Sequence, residues 1–203
     1  MATDLSDCRL YLTTPPGFLP GGVSPDAFCD LLIKAVTETD AAALLVDTGT
    51  EAAGLAALEQ HLLPRLKQRD FALLLKDRVD LVKSTDADGV HLSDPSQLKN
   101  LRGKLNDLSI GVSSPLERHE AIIAAETGAD YIAFDSSENP DECEAVIRWW
   151  HEMMTVPSIV FTSTPDEATR FAKAGADFIA VKADIWQLPD PLAALRNITK
   201  AIA

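Results

Sequence analysis

Basic residues are scarce: 18 Lys and Arg stand against 31 Asp and Glu, for a formal net charge of −13. No run concentrates those cations locally, so a nucleic-acid backbone or an acidic membrane surface would be repelled. Neither partner is expected. Long apolar runs are missing as well, the longest falling well short of the roughly 18 to 20 residues that a spanning helix needs. The opening MATDLSDCRL lacks the basic-then-apolar order of a secretory leader, and a soluble, cytoplasmic protein is the expectation. Cysteine is sparse: Cys8, Cys29 and Cys143 are odd in number and widely spaced, which fits neither a disulfide framework nor paired zinc ligands. They read as reduced packing residues. An acidic chain that handles small anions must do so with a few Lys or Arg side chains, a metal, or helix N-termini.

What is present is alternation. The 203 residues, 46% of them hydrophobic, suffice for one sizeable core, so residues 1–203 are expected to form one domain. Eight short apolar runs recur: CRLYLTT, AALLVDT, FALLLKD, DGVHLS, LSIGVSS, DYIAFDSS, SIVFTS and DFIAVKAD. Between them lie stretches with helical spacing. Helix starts are signalled by a capping residue followed by proline at Ser24-Pro25, Asp94-Pro95, Ser114-Pro115, Asn139-Pro140, Thr164-Pro165 and Asp190-Pro191. TGADYIAFDS and AGADFIAVKA are echoes of one unit, with DADGVHLSD a weaker copy; glycine ends a helix, an acid starts the turn, and a β-rich run enters a sheet. Strands flanked by helices imply a covered parallel sheet. Eight such units in this length predict an α/β fold, a compact single-domain (β/α)8 TIM barrel, over a doubly wound sheet.

In such a barrel the C-terminal strand ends share one rim, where ligands bind. The tips here are Thr13-Thr14, Asp47-Thr48, Lys76-Asp77, His91 with Ser93, Ser113-Ser114, Asp135-Ser136, Thr162-Ser163 and Lys182. Lys76 beside Asp77 is costly unless paired or used. Asp77 either binds magnesium, which favours carboxylate oxygens and water, or caps a helix beginning at Arg78. His91 points inward or outward, and a packed, hydrogen-bonded histidine is favoured over a catalytic one. Asp94 is expected to cap the helix opened by Pro95. Asp135 faces the bowl or does not. Lys182 is an anion ligand or the partner of Asp184 or Asp135. His61, His119 and His151 read as surface residues. Trp149 and Trp150 lie about 100° apart on a helix, so one enters the core; with Met153 and Met154 they form a candidate homo-oligomer contact, helix-to-barrel packing being the alternative. The Gly- and Pro-rich PPGFLPGGVSPD is placed over the mouth.

The order of these motifs resembles that of thiamin phosphate synthase and its relative the thiazole tautomerase. The similarity is carried by LYLTT, KDRVDLVKSTDADGVHLSD, IGVSSP, GADYIA and GADFIAVKADI, covering most of the chain in order. It implies a compact (β/α)8 barrel that joins a hydroxymethylpyrimidine diphosphate to a thiazole phosphate with loss of pyrophosphate, assisted by magnesium. It further implies that Asp77 matches a magnesium-binding aspartate and Ser113 a serine that contacts pyrophosphate. The candidate site is then Lys76 and Asp77 as catalytic residues, Asp77 also as metal ligand, and Tyr11, His91, Ser113, Asp135, Thr162, Ser163 and Lys182 against a small phosphorylated molecule.

The chain also departs from the family pattern. Lys76 stands where the family has asparagine, and Ser93-Asp94-Pro95-Ser96 where it shows Gly-Gln and then an acid. LVDTGTE replaces a Gln-x-Arg-x-Lys, FDSSENPDE lacks a Thr-x-Thr-Lys segment, FTSTP replaces paired glycines, and Pro115 replaces the tautomerase's histidine. Three functions follow as expectations: a synthase-like transferase with several diphosphate contacts missing, a non-catalytic binding or regulatory protein, or another enzyme using Asp135 and Lys182 as an acid/base pair.

Overall fold

The computed structural model describes residues 8–66 and 69–203. The N-terminal stretch read above as unlike a leader lies largely in residues 1–7, outside the described residues. Eight strands, β1 (Arg9–Thr13), β2 (Ala43–Val46), β3 (Ala72–Lys76), β4 (Gly89–Leu92), β5 (Ser109–Ser113), β6 (Tyr131–Asp135), β7 (Ser158–Thr162) and β8 (Phe178–Val181), pair in sequence order into a closed barrel. All pairs are parallel, and β8 closes on β1 through Leu10 opposite Ile179 and Tyr11 opposite Ala180. This is the (β/α)8 architecture that the alternation implied. No helix among the described residues is long and apolar enough to cross a membrane.

The capping signals explain most of the helices. Ser24, Asn139, Thr164 and Asp190 each accept the N–H of the residue three positions on, leaving proline at the first helical position where no N–H is needed. They open α1 (Pro25–Thr39), α6 (Pro140–Met153), α7 (Pro165–Ala174) and α8 (Pro191–Ile202). Asp94 caps only a 3₁₀ turn, Pro95–Gln97, which leads into the short α4 (Leu98–Arg102). Ser114-Pro115 opens nothing: its hydroxyl turns to the Pro115 carbonyl, and α5 (Arg118–Thr127) starts three residues later behind Glu117. α2 (Ala52–Ala57) widens into a π turn, Leu58–Leu62, and α3 (Val82–Thr85) is a single turn.

The repeated acid has a structural task. Asp88, Asp130 and Asp177, each just before an even-numbered strand, accept the backbone N–H of Leu73, Ile110 and Ser158 on the strand before it, at 2.7, 2.6 and 2.7 Å. Gly128 and Gly175 end α5 and α7 at φ +105° and +101°, a region that costs glycine little; in the weaker copy Asp86 takes that place at φ +53°.

Two apolar regions follow from strand alternation. Leu10, Leu12, Leu44, Val46, Val90, Ile132 and Phe134 face the helices, while Tyr11, Ala43, Leu45, Leu74, Tyr131, Ala133, Ile159 and Ala180 fill the barrel. The glycine-rich connection after β1 is pinned rather than free, with Phe18 buried edge-on to Phe28, 5.8 Å between centroids, and Phe28 likewise on Trp186. Only its Pro16 reaches the mouth. Trp150 is buried and donates to the Val156 carbonyl, while Trp149 is half-buried under the Arg118 guanidinium. Cys29 and Cys143 are buried, Cys8 is half-buried and all three are free; burial pushes the Cys143 thiol up to about 12, so it stays protonated and unreactive.

Candidate functional site

At the C-terminal mouth the barrel opens into a cavity of about 290 Å³. Alternation decides which tips line it. Lys76 shares its inward phase with Leu74, Ser113 with Gly111, Asp135 with Tyr131 and Ala133, and Lys182 with Ala180. These four, with His91, line the cavity. Five of the expected residues are therefore brought together, from β3, β4, β5, β6 and the end of β8.

The cations in this bowl are already matched. Lys76 Nζ donates to Asp47 Oδ2 at 3.0 Å, and the Asp47 carboxylate is itself held, accepting the Gly49 N–H at 2.9 Å through Oδ1. Across the mouth Lys182 Nζ donates to Asp135 Oδ1 at 2.8 Å, with Ser137 also bound to both partners. Burial works to raise the Asp135 carboxyl, but the hydrogen bonds from Lys182 and Ser137 outweigh it and hold it below the ordinary carboxylate range. The two ion pairs leave the cavity lining close to electrically neutral, and an incoming anion must compete with fixed carboxylates for each lysine.

Beneath the lysines, a chain of hydrogen bonds descends from the cavity into the barrel. Ser113 Oγ lies 2.9 Å from His91 Nε2, His91 Nδ1 lies 3.0 Å from the Tyr131 hydroxyl, and Tyr131 lies 3.0 Å from the Tyr11 hydroxyl. The His91 and Tyr131 rings stack at 5.7 Å and 18°. Burial pushes His91 down to about 4, with Asp77 opposing that shift and Lys76 adding to it, so the imidazole is neutral at ordinary pH. The packed, hydrogen-bonded histidine was the favoured expectation; here it is also a wall of the cavity.

The other expected residues stand elsewhere. Tyr11 lies inside the barrel below His91 and also borders a second cavity at the opposite, N-terminal end. Thr162 is in the outward phase and donates to Glu167 Oε2 at 2.5 Å. Ser163 donates to Asp184. Asp77 follows β3 in a left-handed conformation, φ +54°, and accepts both the Ser93 N–H and the Ser93 hydroxyl at 2.7 Å. It caps nothing, because the turn at Val79–Leu81 has no side-chain cap; its role in the fold is to tie the β3 tip to the β4 tip. Ser93 itself borders the cavity, which leaves Asp77 one residue removed. Asp47 and Tyr131 are the participants not among the expected site residues. Both sit in the inward phase of their strands, and that phase was the available signal.

Comparison with known proteins identifies the family. A family model described as thiamine monophosphate synthase matches residues 20–185. A thiamine-phosphate synthase of Rhodospirillum centenum is 36% identical over 98% of this chain and 99% of its own length. One from Erythrobacter litoralis is 33% identical over 72% of this chain and 78% of its own. Among solved structures, a thiamine phosphate pyrophosphorylase from Pyrococcus furiosus superposes with a TM-score of 0.77, covering 98% of this chain and 96% of that one at 24% identity; that likeness speaks to the fold.

Proposed function

The chain belongs to the thiamine monophosphate synthase family, and on that premise we propose that its barrel mouth takes a pyrimidine diphosphate and a thiazole phosphate and joins them. The observation that carries this reading is the gathering of Lys76, His91, Ser113, Asp135 and Lys182 around one cavity. In the proposed step the bond from the pyrimidine's methylene carbon to the diphosphate oxygen breaks, its electron pair leaving on pyrophosphate. The thiazole ring nitrogen supplies the pair for the new C–N bond. Ser113 serves the departing oxygens as a hydrogen-bond donor. Lys76 and Lys182 offset their charge, while Asp47 and Asp135 hold the lysines in position beforehand.

Magnesium belongs to the same reading. The Asp77 carboxylate is exposed, and each oxygen accepts one hydrogen bond from Ser93, which leaves lone pairs for a cation. No group of three or more His, Cys, Asp or Glu side chains that could hold an ion by themselves occurs among the described residues. Magnesium, however, commonly takes one or two protein carboxylates and completes its shell with water and substrate phosphate. Bound at Asp77 it would offset charge on the leaving diphosphate.

One observation favours a second reading, a non-catalytic binding protein: both rim lysines are already neutralised, by Asp47 and Asp135. Incubation of the purified chain with both precursors and magnesium separates the two. Formation of thiamin phosphate with equimolar pyrophosphate, reduced roughly 10²-fold by Ser113→Ala and abolished by Asp77→Ala, supports the coupling reading. Calorimetric binding of either precursor without turnover moves the conclusion to the second, and absence of both binding and turnover overturns each.

A further inference from the structure

We propose that Tyr131, backed by Tyr11, fixes His91 in its Nε2–H tautomer, so that Ser113 turns its own hydroxyl proton into the mouth and acts there as a donor to an anionic oxygen. The argument is a count of protons against contacts. Tyr11 and Tyr131 are 2% and 7% exposed, packed with Ala43, Leu45, Leu74, Ala133, Ile159 and Ala180 above the lower cavity. Among the described residues the Tyr11 hydroxyl has one partner, the Tyr131 hydroxyl, and the Tyr131 hydroxyl has one further partner, His91 Nδ1. Two contacts therefore serve this end of the chain.

Burial raises both phenols well above their ordinary range, so both keep their protons, and His91, 2% exposed with a neutral hydroxyl against each ring nitrogen, carries one ring proton, since a buried imidazolium would have no charged partner. If that proton sat on Nδ1, three protons would share two contacts, and one would have no acceptor among the described residues, an arrangement that buried polar groups avoid. If it sits on Nε2, every proton is placed. Tyr11 donates to Tyr131, Tyr131 donates to Nδ1, and Nε2–H donates to Ser113 Oγ. Ser113 then has its oxygen engaged from below and its proton free toward the cavity.

This polarity has a chemical consequence. Nε2 holds no lone pair with which to take a proton from Ser113, so the Ser113–His91 pair is not the base-activated nucleophile that its 2.9 Å spacing would otherwise suggest. Instead the mouth gains a neutral donor aimed at a phosphate or similar oxygen, beside lysines held by Asp47 and Asp135. The inference rests on the proposed function only for the identity of the oxygen that Ser113 meets. The position of the proton is a property of the free protein.

The test is nitrogen NMR on the uniformly ¹⁵N-labelled chain between pH 6 and 8, with His91 assigned by the loss of its signals in His91→Gln. The expected pattern is a protonated Nε2 and an unprotonated Nδ1. An Nδ1–H pattern, or averaging between the two, overturns the proposal and shows that another acceptor, such as water entering from the lower cavity, takes the Tyr11 proton. Tyr11→Phe should keep the pattern, since Tyr131 still has a single place for its proton; Tyr131→Phe should release it into a mixture of tautomers. An unchanged pattern in a folded Tyr131→Phe also overturns the proposal, and if that variant fails to fold, the wild-type pattern decides. In a parallel titration with inorganic pyrophosphate, Ser113→Ala is expected to weaken binding about tenfold or more. Failure of the wild type to bind pyrophosphate while His91 shows Nε2–H would sink the functional reading and leave the relay intact.

Discussion

Asp47 is the residue that most changes what the mouth can hold. Its carboxylate is 18% exposed and fixed at both oxygens, by the Lys76 ammonium and the Gly49 N–H. A side chain so held does not swing away at little cost. Asp47→Asn keeps the Gly49 contact and the volume but removes the charge, and Lys76 becomes an unopposed cation in a half-buried site. Inorganic pyrophosphate should then bind about tenfold more tightly, and more salt-sensitively, than to the wild type. Calorimetry at two ionic strengths checks this; unchanged affinity would mean that Lys76 never meets the ligand. At the same scale, Asp77 shows why a polar doublet is ambiguous in a sequence. Lys76 and Asp77 are neighbours, yet only Lys76 is in the inward phase, and the chain turns through φ +54° before Asp77 delivers its carboxylate to Ser93.

At the level of the element, β5 owes its composition to a neighbour. A Cβ on Gly111 would stand 1.8 Å from Cζ of the Tyr131 ring, so the glycine is the space through which that ring reaches His91. Gly111→Ala forces the ring aside, and overpacking of this severity should cost about 3 kcal/mol or more while breaking the Tyr131–His91 contact. Denaturant unfolding and the His91 nitrogen signals would both register it. The helices were legible because caps and prolines are local: Asn139-Pro140 and Thr164-Pro165 need only residues three positions on. Ser114-Pro115 shows the limit of that signal, since the same pair of residue types serves a turn when the serine finds a nearer carbonyl. The tips were legible only as candidates, because alternation fixes a phase but not where each strand ends. Thr162 fell outside the bowl by phase, and Ser163 by the turn that carries it to Asp184.

Across the whole molecule, repetition made the barrel readable and convergence made the site harder to read. Ser113, His91, Tyr131 and Tyr11 come from β5, β4, β6 and β1, and their hydrogen bonds span as many as 120 positions. No spacing in a linear chain announces such a contact. Burying the neutral imidazole also ties global stability to pH. The folded value of about 4 lies below the ordinary 6.5, so between these values the unfolded chain binds a proton that the folded chain refuses. Stability is therefore full above about pH 6.5, falls as pH drops toward 4, and levels off for this group below that, a loss of up to roughly 3 kcal/mol. Urea midpoints measured from pH 7 to pH 4 should show that slope, and His91→Gln should flatten it.

The acids just before β4, β6 and β8 sit at the floor, at the far end of the wall from the mouth. Asp88, Asp130 and Asp177 bolt each to the strand before it, and none of them borders the mouth cavity. Foundation and doorway are thus separate works. A change of tenant at the doorway, through Asp47, Lys76, Ser113 or Lys182, leaves those bolts untouched, so new occupants can be tried without rebuilding the house.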